Sequence, residues 1–383
     1  MTSDPKEDNR FPSIADMEAR AARRVPKFAW DYLQSGIGDE RCVARNREAL
    51  DHVDLTPRYL DAPDGSASLK CTVMGQAYPA PFGIAPMGLS GLIWPGALSA
   101  FARAAAAHDL PLGVSNSANE ALEDIAPLGV EMWFQLYLRN DEILQSDLLA
   151  RAQDTGCDTL IVTIDIPGPI RRLRDIRNDM IFPIHLTPRH LRQALTKPAW
   201  LAAVLRHGVP RFAMFDRYVE GTPTLGNTAR KLAQTQGPKV TARRLAQLRA
   251  AWPGTLVVKG VQSVEDARQS LDLGADALVV SNHGGRQLDA APDIPTTLRR
   301  LRSDLGPAPC LIADSGVRSG LDIARMIACG ADFVLLGRAF CYALAAMGRT
   351  GPDHALNVLT AELAEALQQT GCNTLQDLPQ RLA

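Results

Sequence analysis

A histidine and an arginine stand three residues apart in the stretch 279–289, VVSNHGGRQLD, with only glycine between them. His283 carries the one side chain whose ordinary pKa lies near neutrality, which suits it to taking a proton. Arg286 offers a planar guanidinium that can hold a carboxylate through two parallel hydrogen bonds. Together they fit removal of a proton from a small anionic substrate. The apolar run 277–280 ahead of them reads as a buried strand, so the pair would sit on a loop at a strand's end. The same residues also read as a glycine-rich turn with a capping histidine and a solvated arginine. The motif alone does not choose.

The elements that must position this loop are legible in the rhythm of the chain. Apolar, mostly β-branched runs recur at 82–85, 110–114, 131–137, 159–164, 255–258, 277–280, 310–313 and 333–336. Segments rich in Ala, Leu and Arg fall between them, an alternation that predicts a parallel sheet covered on both faces. Eight such units within 82–348 predict an α/β fold, a closed (β/α)8 TIM barrel, which typically takes ~250 residues. The alternative is an open doubly wound sheet. It favours G-x-G-x-x-G after the first strand, and 86–91, PMGLSG, does not fit that pattern. The chain then reads as a single domain: an N-terminal helical segment over 1–80, the barrel over 81–350 and a C-terminal helix over 351–383. The N-terminal segment should hold two or three helices over 12–60 and a short hairpin strand at 70–75. An insertion of about 168–238 follows strand four and far exceeds the roughly 2–6 residues of an ordinary βα loop. It predicts a lid or a docking element.

In such a barrel all strand ends point to one face, so residues distant in sequence meet there. Read in order, those ends supply a base (His283), an acid that could orient it (Asp165) and a phenol (Tyr137). Asp314, Ser315, Gly316 and Arg318, then Gly337 and Arg338, follow strands seven and eight, where barrels of this kind bind phosphate. The glycines there also read as relief of tight turns, and the arginines as solvated. Lys259, at the end of an apolar strand, could stabilise negative charge developing on a cofactor ring.

Composition narrows the class. At 383 residues and 46% hydrophobic the chain can bury a large core, and 41 basic against 42 acidic residues argue against a nucleic-acid partner. Seven scattered cysteines lack C-x-x-C spacing, which predicts buried free thiols in a reducing cytoplasm, with no metal site and no disulfide. The charged stretch 1–10 does not read as a signal peptide, and no apolar run approaches bilayer length.

Jointly these motifs resemble the FMN-dependent L-2-hydroxy acid oxidase/dehydrogenase family, above all its (S)-mandelate dehydrogenases and quinone-linked L-lactate dehydrogenases. The resemblance covers nearly the whole chain. It runs from 31–36, DYLQSG, with Asp39, Glu40, Asn46 and Arg47, through 84–86, 133–137 and 258–260, to 281–289 and 336–339. It implies that His283 takes the proton from the substrate's α-carbon or hydroxyl, with Asp165 as its carboxylate partner and Tyr137 bonding the substrate oxygen. Tyr32 and Arg286 correspond to the carboxylate grip, and Arg172 to a second, more mobile arginine. Lys259 corresponds to a lysine at the flavin edge, and Pro86, Met87, Gly88, Ser115, Gln135, Thr163 and Ser281 to flavin contacts. Asp314, Ser315, Gly316, Arg318, Gly337 and Arg338 correspond to the ribityl-phosphate site.

Three positions depart from the usual pattern. Met87 replaces a threonine beside the flavin, Ser117 a bulky tryptophan and Gly88 an alanine, and the last two enlarge the pocket. The implied activity is oxidation of an (S)-2-hydroxy acid, mandelate-like or lactate-like, to the 2-oxo acid, with FMN passing electrons to a membrane quinone. The alternative is an oxidase that reduces O₂ to H₂O₂. A rival of another class is a flavin-free barrel enzyme that holds a phosphorylated sugar in the same cradle. The resemblance further implies a homotetramer.

One segment suggests where such an enzyme works. Residues 180–215 contain no acid but five cations: Arg189, Arg192, Lys197, Arg206 and Arg211. His185, His190 and His207 add possible charge, and Ile181, Phe182, Ile184, Leu186, Leu191, Leu195, Trp200, Leu201, Val204, Leu205, Phe212, Met214 and Phe215 lie among them. Basic residues attract anionic headgroups and an apolar face can enter the acyl boundary. The segment therefore predicts peripheral docking on the inner face of the cell membrane. A basic lid over the active site or against a neighbouring subunit is the alternative.

Overall fold

The eight apolar runs become eight parallel strands of a closed barrel in a computed structural model that describes residues 5–60, 67–180, 187–237 and 239–383. A small antiparallel hairpin, β1 (Cys71–Val73) and β2 (Gln76–Tyr78), precedes it. The barrel strands are β3 (Phe82–Ile84), β4 (Leu112–Ser115), β5 (Met132–Leu136) and β6 (Thr159–Thr163), then β7 (Thr255–Val261), β8 (Ala277–Val280), β9 (Cys310–Ala313) and β10 (Phe333–Leu336). They pair in sequence order, and β10 closes the ring by pairing with both β9 and β3. The strands are apolar almost throughout because core packs on both faces, so a period-2 pattern is absent. Register sets the polar residues at a common level. Ser115 pairs with Gln135 and Thr163 with Lys259, all at the C-terminal rim.

The N-terminal segment forms three helices within the expected range, Ile14–Arg24, Lys27–Gln34 and Arg41–Asp51. Ser13 caps the first, accepting the Asp16 N–H at 3.2 Å, and Ile14, Met17 and Ala21 make a buried stripe facing the helix Arg338–Met347. Arg41–Asp51 lies over the His283 loop, where Arg45 Nη1 donates to Ala291 O. At the other end of the chain, the helix Gly351–Gln369 is followed by a 3₁₀ segment, Leu375–Arg381, rather than continuing. The seven cysteines are free, with Cys71 and Cys310 only half-buried. Among the described residues no helix is long and apolar enough to cross a membrane.

The long insertion holds short helices at Leu173–Arg177, Pro188–Leu195, Pro198–His207 and Leu225–Gln234 and a 3₁₀ segment at Ala213–Tyr218. Here the expectation needs correction. Trp200, Phe212, Met214 and Phe215 do not stand beside the cations on an outer face; all four are buried. Trp200 Nε1 donates to Leu92 O at 3.2 Å and meets Phe28 edge-on. His190 is buried too, with Nε2 2.6 Å from Asn178 O, so it adds nothing to a surface charge. What remains outside is part of the expected set, Leu191, Leu195 and Leu205 with Arg189, Arg192 and Arg206, joined by Val209. Ile181, Phe182, Ile184, His185 and Leu186 lie outside the described residues.

Candidate active site

The rim of the barrel opens into a cavity of about 640 Å³. Every residue expected at the site lines it except Asp165, Ser115 and Ser281, which stand one layer behind the wall. The insertion contributes part of the opposite side through Ile170, Met180, Phe212 and Leu232.

The loop after β8 owes its shape to three successive left-handed residues, His283 (φ 58°), Gly284 (φ 66°) and Gly285 (φ 79°). That conformation is costly for a histidine and is held by its surroundings. The His283 N–H donates to Ser281 Oγ at 3.0 Å and the Gly284 N–H to Ser315 Oγ at 2.9 Å. Asn282 exchanges two amide bonds with buried Asn46, at 2.7 and 2.8 Å. Gly285 admits nothing larger, since a Cβ there would lie 2.7 Å from Val43 N. The N-terminal helices therefore clamp the loop from outside.

The clamp aims the imidazole. His283 Nδ1 sits 3.1 and 3.2 Å from the two oxygens of Asp165, and Nε2 lies 3.4 Å from the Tyr137 hydroxyl. With Nδ1–H donating to the carboxylate, Nε2 keeps its lone pair toward the cavity. Asp165 is held from behind by Gly260 (φ 100°), where a Cβ would meet the Asp165 side chain at 2.7 Å. A register shift in the β7–β8 pairing marks this point, so a bulge after Lys259 makes room for the acid. Burial, reinforced by Asp165, pushes the Tyr137 phenol up, so it stays protonated and can donate.

Two arginines flank Tyr32. The Arg286 guanidinium stands 5.1 Å from its ring centre and that of Arg172 5.7 Å. Arg286 Nη1 donates to Tyr32 O and Ser35 O, both at 2.8 Å, which fixes the group against the N-terminal helix. Arg172 Nη1 lies 3.2 Å from Asp175 Oδ2. Burial, with the neighbouring Arg172 charge, pushes Arg286 down to about 9. A carboxylate in the cavity would relieve both effects.

Across the cavity a second polar system lies along the strand ends. Gln135 accepts from Ser115 Oγ at 2.7 Å and donates to Thr163 Oγ1 at 2.9 Å. Lys259 Nζ donates to Ser281 Oγ at 2.7 Å and pairs with buried Asp314. Burial alone would raise the Asp314 carboxyl; the Lys259 charge and hydrogen bonds from Lys259, Ser281 and Ser315 outweigh it and hold the group ionised. Asp314 thus anchors the lysine. Among the described residues neither Arg318 nor Arg338 has an acidic ion-pair partner. Arg338 ties Leu33 O at 3.0 Å and Gly284 O at 3.2 Å, and Arg318 lies 5.4 Å from the Tyr342 ring centre. Burial, then the nearby Arg318 charge, lowers Arg338. Met87 rests against Gly337 and Cys341, its sulfur 3.6 Å from the Cys341 thiol.

Sequence reasoning missed Asp175 and gave no task to Gly260, Asn46 and Ser35, though their motifs were visible. These residues hold the site through packing or through partners distant in the chain, and no spacing rule exposes that. Asn282 and Asp289 were visible in the motif, but their tasks were not. Asp289 accepts the N–H groups of Asp39 and Cys42 at 3.0 and 2.9 Å and so docks the N-terminal segment.

Known proteins share this architecture. The chain is 38% identical over 381 residues to the L-lactate dehydrogenase of Caulobacter sp. (strain K31), covering 96% of each. It is 36% identical over 372 residues to that of Pseudomonas syringae pv. syringae (strain B728a), again covering 96% of each. The crystal structure of the monotopic membrane protein (S)-mandelate dehydrogenase superimposes with a TM-score of 0.91 at 35% identity, covering 97% of this chain and 98% of that one. A mandelate oxidase structure gives 0.82 at 32% identity, with the same coverage of each chain. The sequence profile of the FMN-dependent dehydrogenases matches residues 21–383, and this protein belongs to that family.

Proposed function

We propose that the enzyme oxidises an (S)-2-hydroxy acid with a bulky or aromatic side chain to the 2-oxo acid, and that the whole chain works as one domain. The reading rests above all on one observation: the His283–Asp165 pair faces Tyr137 beside two arginines, of which Arg172 pairs with Asp175 and Arg286 has no acidic ion-pair partner among the described residues. The residues present fit FMN. Arg318 and Arg338, two cations without an acidic ion-pair partner among the described residues, suit a phosphate dianion. Lys259, ion-paired with Asp314, suits the electron-rich edge of the ring, and Gln135 and Thr163 offer polar contacts. Ser115 and Ser281 support those groups from behind. Bound FMN supplies the two-electron acceptor for the oxidation.

On this reading the protein's own residues do the rest. Arg286 and Arg172 take the carboxylate, Tyr32 lies between them, and Tyr137 donates to the substrate oxygen. His283 Nε2 accepts the proton, and Asp165 stabilises the imidazolium that results. Preference for a bulky side chain is supported by Gly88 and Ser117, two small residues in the cavity wall, packed so that a Cβ on Gly88 would crowd Ser117 Cβ at 3.3 Å. Ile170, Met180 and Phe212 add apolar surface to the same cavity. Anaerobic mixing with (S)-lactate, (S)-mandelate and longer 2-hydroxy acids should bleach the flavin, fastest with mandelate. If none bleaches it, the reading is wrong.

For the electron acceptor we favour a membrane quinone over O₂, with the enzyme, a homotetramer, docked on the inner face of the cell membrane. The exposed set Leu191, Leu195, Leu205 and Val209, interspersed with Arg189, Arg192 and Arg206, has the composition of an interfacial surface. The solved (S)-mandelate dehydrogenase is a monotopic membrane protein, which supports the same reading. The enzyme should sediment with anionic liposomes at low salt and be released at high salt. Replacing Leu191, Leu195 and Leu205 with serine should abolish sedimentation while leaving flavin reduction intact. An enzyme that stays in the supernatant at low salt would refute docking and favour the oxidase, which peroxide yield measures directly.

A further inference from the structure

Arg139 is 2% exposed, among the largest fully buried side chains, and ion-paired with no acid among the described residues. Unpaired buried charge is costly, so a neutral residue would fill this space at lower cost if filling were all that was needed. Arg139 spends its donors on oxygens. Nε donates to Tyr137 O at 3.1 Å, Nη1 to Leu232 O at 3.1 Å and Nη2 to Asn116 Oδ1 at 3.5 Å. Its guanidinium also lies 5.2 Å from the ring centre of buried Phe215. Burial lowers its pKa to about 10, so it remains a cation at neutral pH.

Two of these three oxygens, Tyr137 O and Leu232 O, belong to residues that line different parts of the cavity. Tyr137 O is the backbone of the phenol that faces His283. Leu232 O lies in the last turn of Leu225–Gln234, where carbonyls lack helical partners and a cation complements the dipole. That turn and the segment after it supply the wall residues Leu232, Ala233, Gln236 and Val240. Backbone bonds already join the segments, Gly237 N–H to Leu138 O at 2.9 Å and Asn140 N–H to Thr235 O at 3.1 Å. The side chain adds a link from the wall to the phenol's own residue.

We propose that Arg139 is a positioning residue that sets the spacing between the Tyr137 phenol and the wall of Leu232, Ala233 and Val240, and so selects among substrate side chains. This rests on Tyr137 meeting the substrate as proposed above. The test compares Arg139→Met, Arg139→Lys and Tyr137→Phe for FMN content, KM and flavin-reduction rate with (S)-lactate and (S)-mandelate. Arg139→Met should keep FMN, raise KM more than it lowers the saturating rate, and shift the mandelate-to-lactate ratio of kcat/KM by about tenfold. Arg139→Lys, which can still reach one carbonyl, should restore much of that ratio. An Arg139→Met ratio within about twofold of wild type overturns the proposal. So does loss of FMN and native circular dichroism in both Arg139 variants, which would make this a folding residue. If Tyr137→Phe changes nothing, the functional reading falls, and the role of Arg139 falls with it.

Discussion

Replacing His283 with glutamine should cut flavin reduction by substrate by about 10²–10⁴-fold or more while leaving FMN bound. Glutamine fills a similar space and its amide can still reach Asp165, but it offers no basic nitrogen to the cavity. The local fold should survive, because the loop is held mainly by groups other than the imidazole. Its backbone N–H groups bond Ser281, Ser315 and Asn282, and Gly285 is seated against Val43. FMN retention is expected because Arg318, Arg338 and Lys259 do not depend on the imidazole for their contacts. Stopped-flow reduction under anaerobic conditions, with flavin absorbance as the measure of occupancy, separates the two effects. Single-turnover reduction near the wild-type rate would end the assignment of His283 as the base.

The pattern that led to His283 was legible because strand rhythm and strand-end chemistry both survive in a single sequence. Eight apolar runs and the insertion could be read directly, since strands buried on both faces carry an unbroken apolar signal. Asp165, Tyr137 and His283 each stand at or just beyond the end of such a run, so the barrel geometry alone brings them to one rim. What could not be read is which face a short amphipathic helix turns outward. Trp200, Phe212 and Phe215 look like membrane anchors in sequence, yet Trp200 caps Leu92 O and packs on Phe28, while Phe215 lies under Arg139. Helical spacing is the same for a face that meets core and a face that meets lipid. Likewise Gly260 reads as an ordinary turn residue until Asp165, far earlier in the chain, is seen against it. Contacts at that separation leave no mark on local spacing.

Arg286→Lys should be nearly as damaging as removal of the base, although it keeps the charge. In the present arrangement a single guanidinium nitrogen, Nη1, meets three acceptors: Tyr32 O and Ser35 O at 2.8 Å and Ser35 Oγ at 3.2 Å. The rest of the group is left to offer a planar pair of donors to a carboxylate. A lysine ammonium has three donors on one atom, and those same three oxygens can absorb all of them. The substrate would then meet a cation with no hydrogen bond free and no bidentate geometry. Arg172 and Tyr32 would remain, so some affinity should persist. The expected loss is about 2–4 kcal/mol in kcat/KM, carried mainly by KM and by misorientation of the α-carbon toward His283. A neutral ester of the same hydroxy acid, which never engages the full grip, should lose far less than the acid. Equal losses for ester and acid would mean that Arg286 holds the loop and Tyr32 in place rather than the carboxylate.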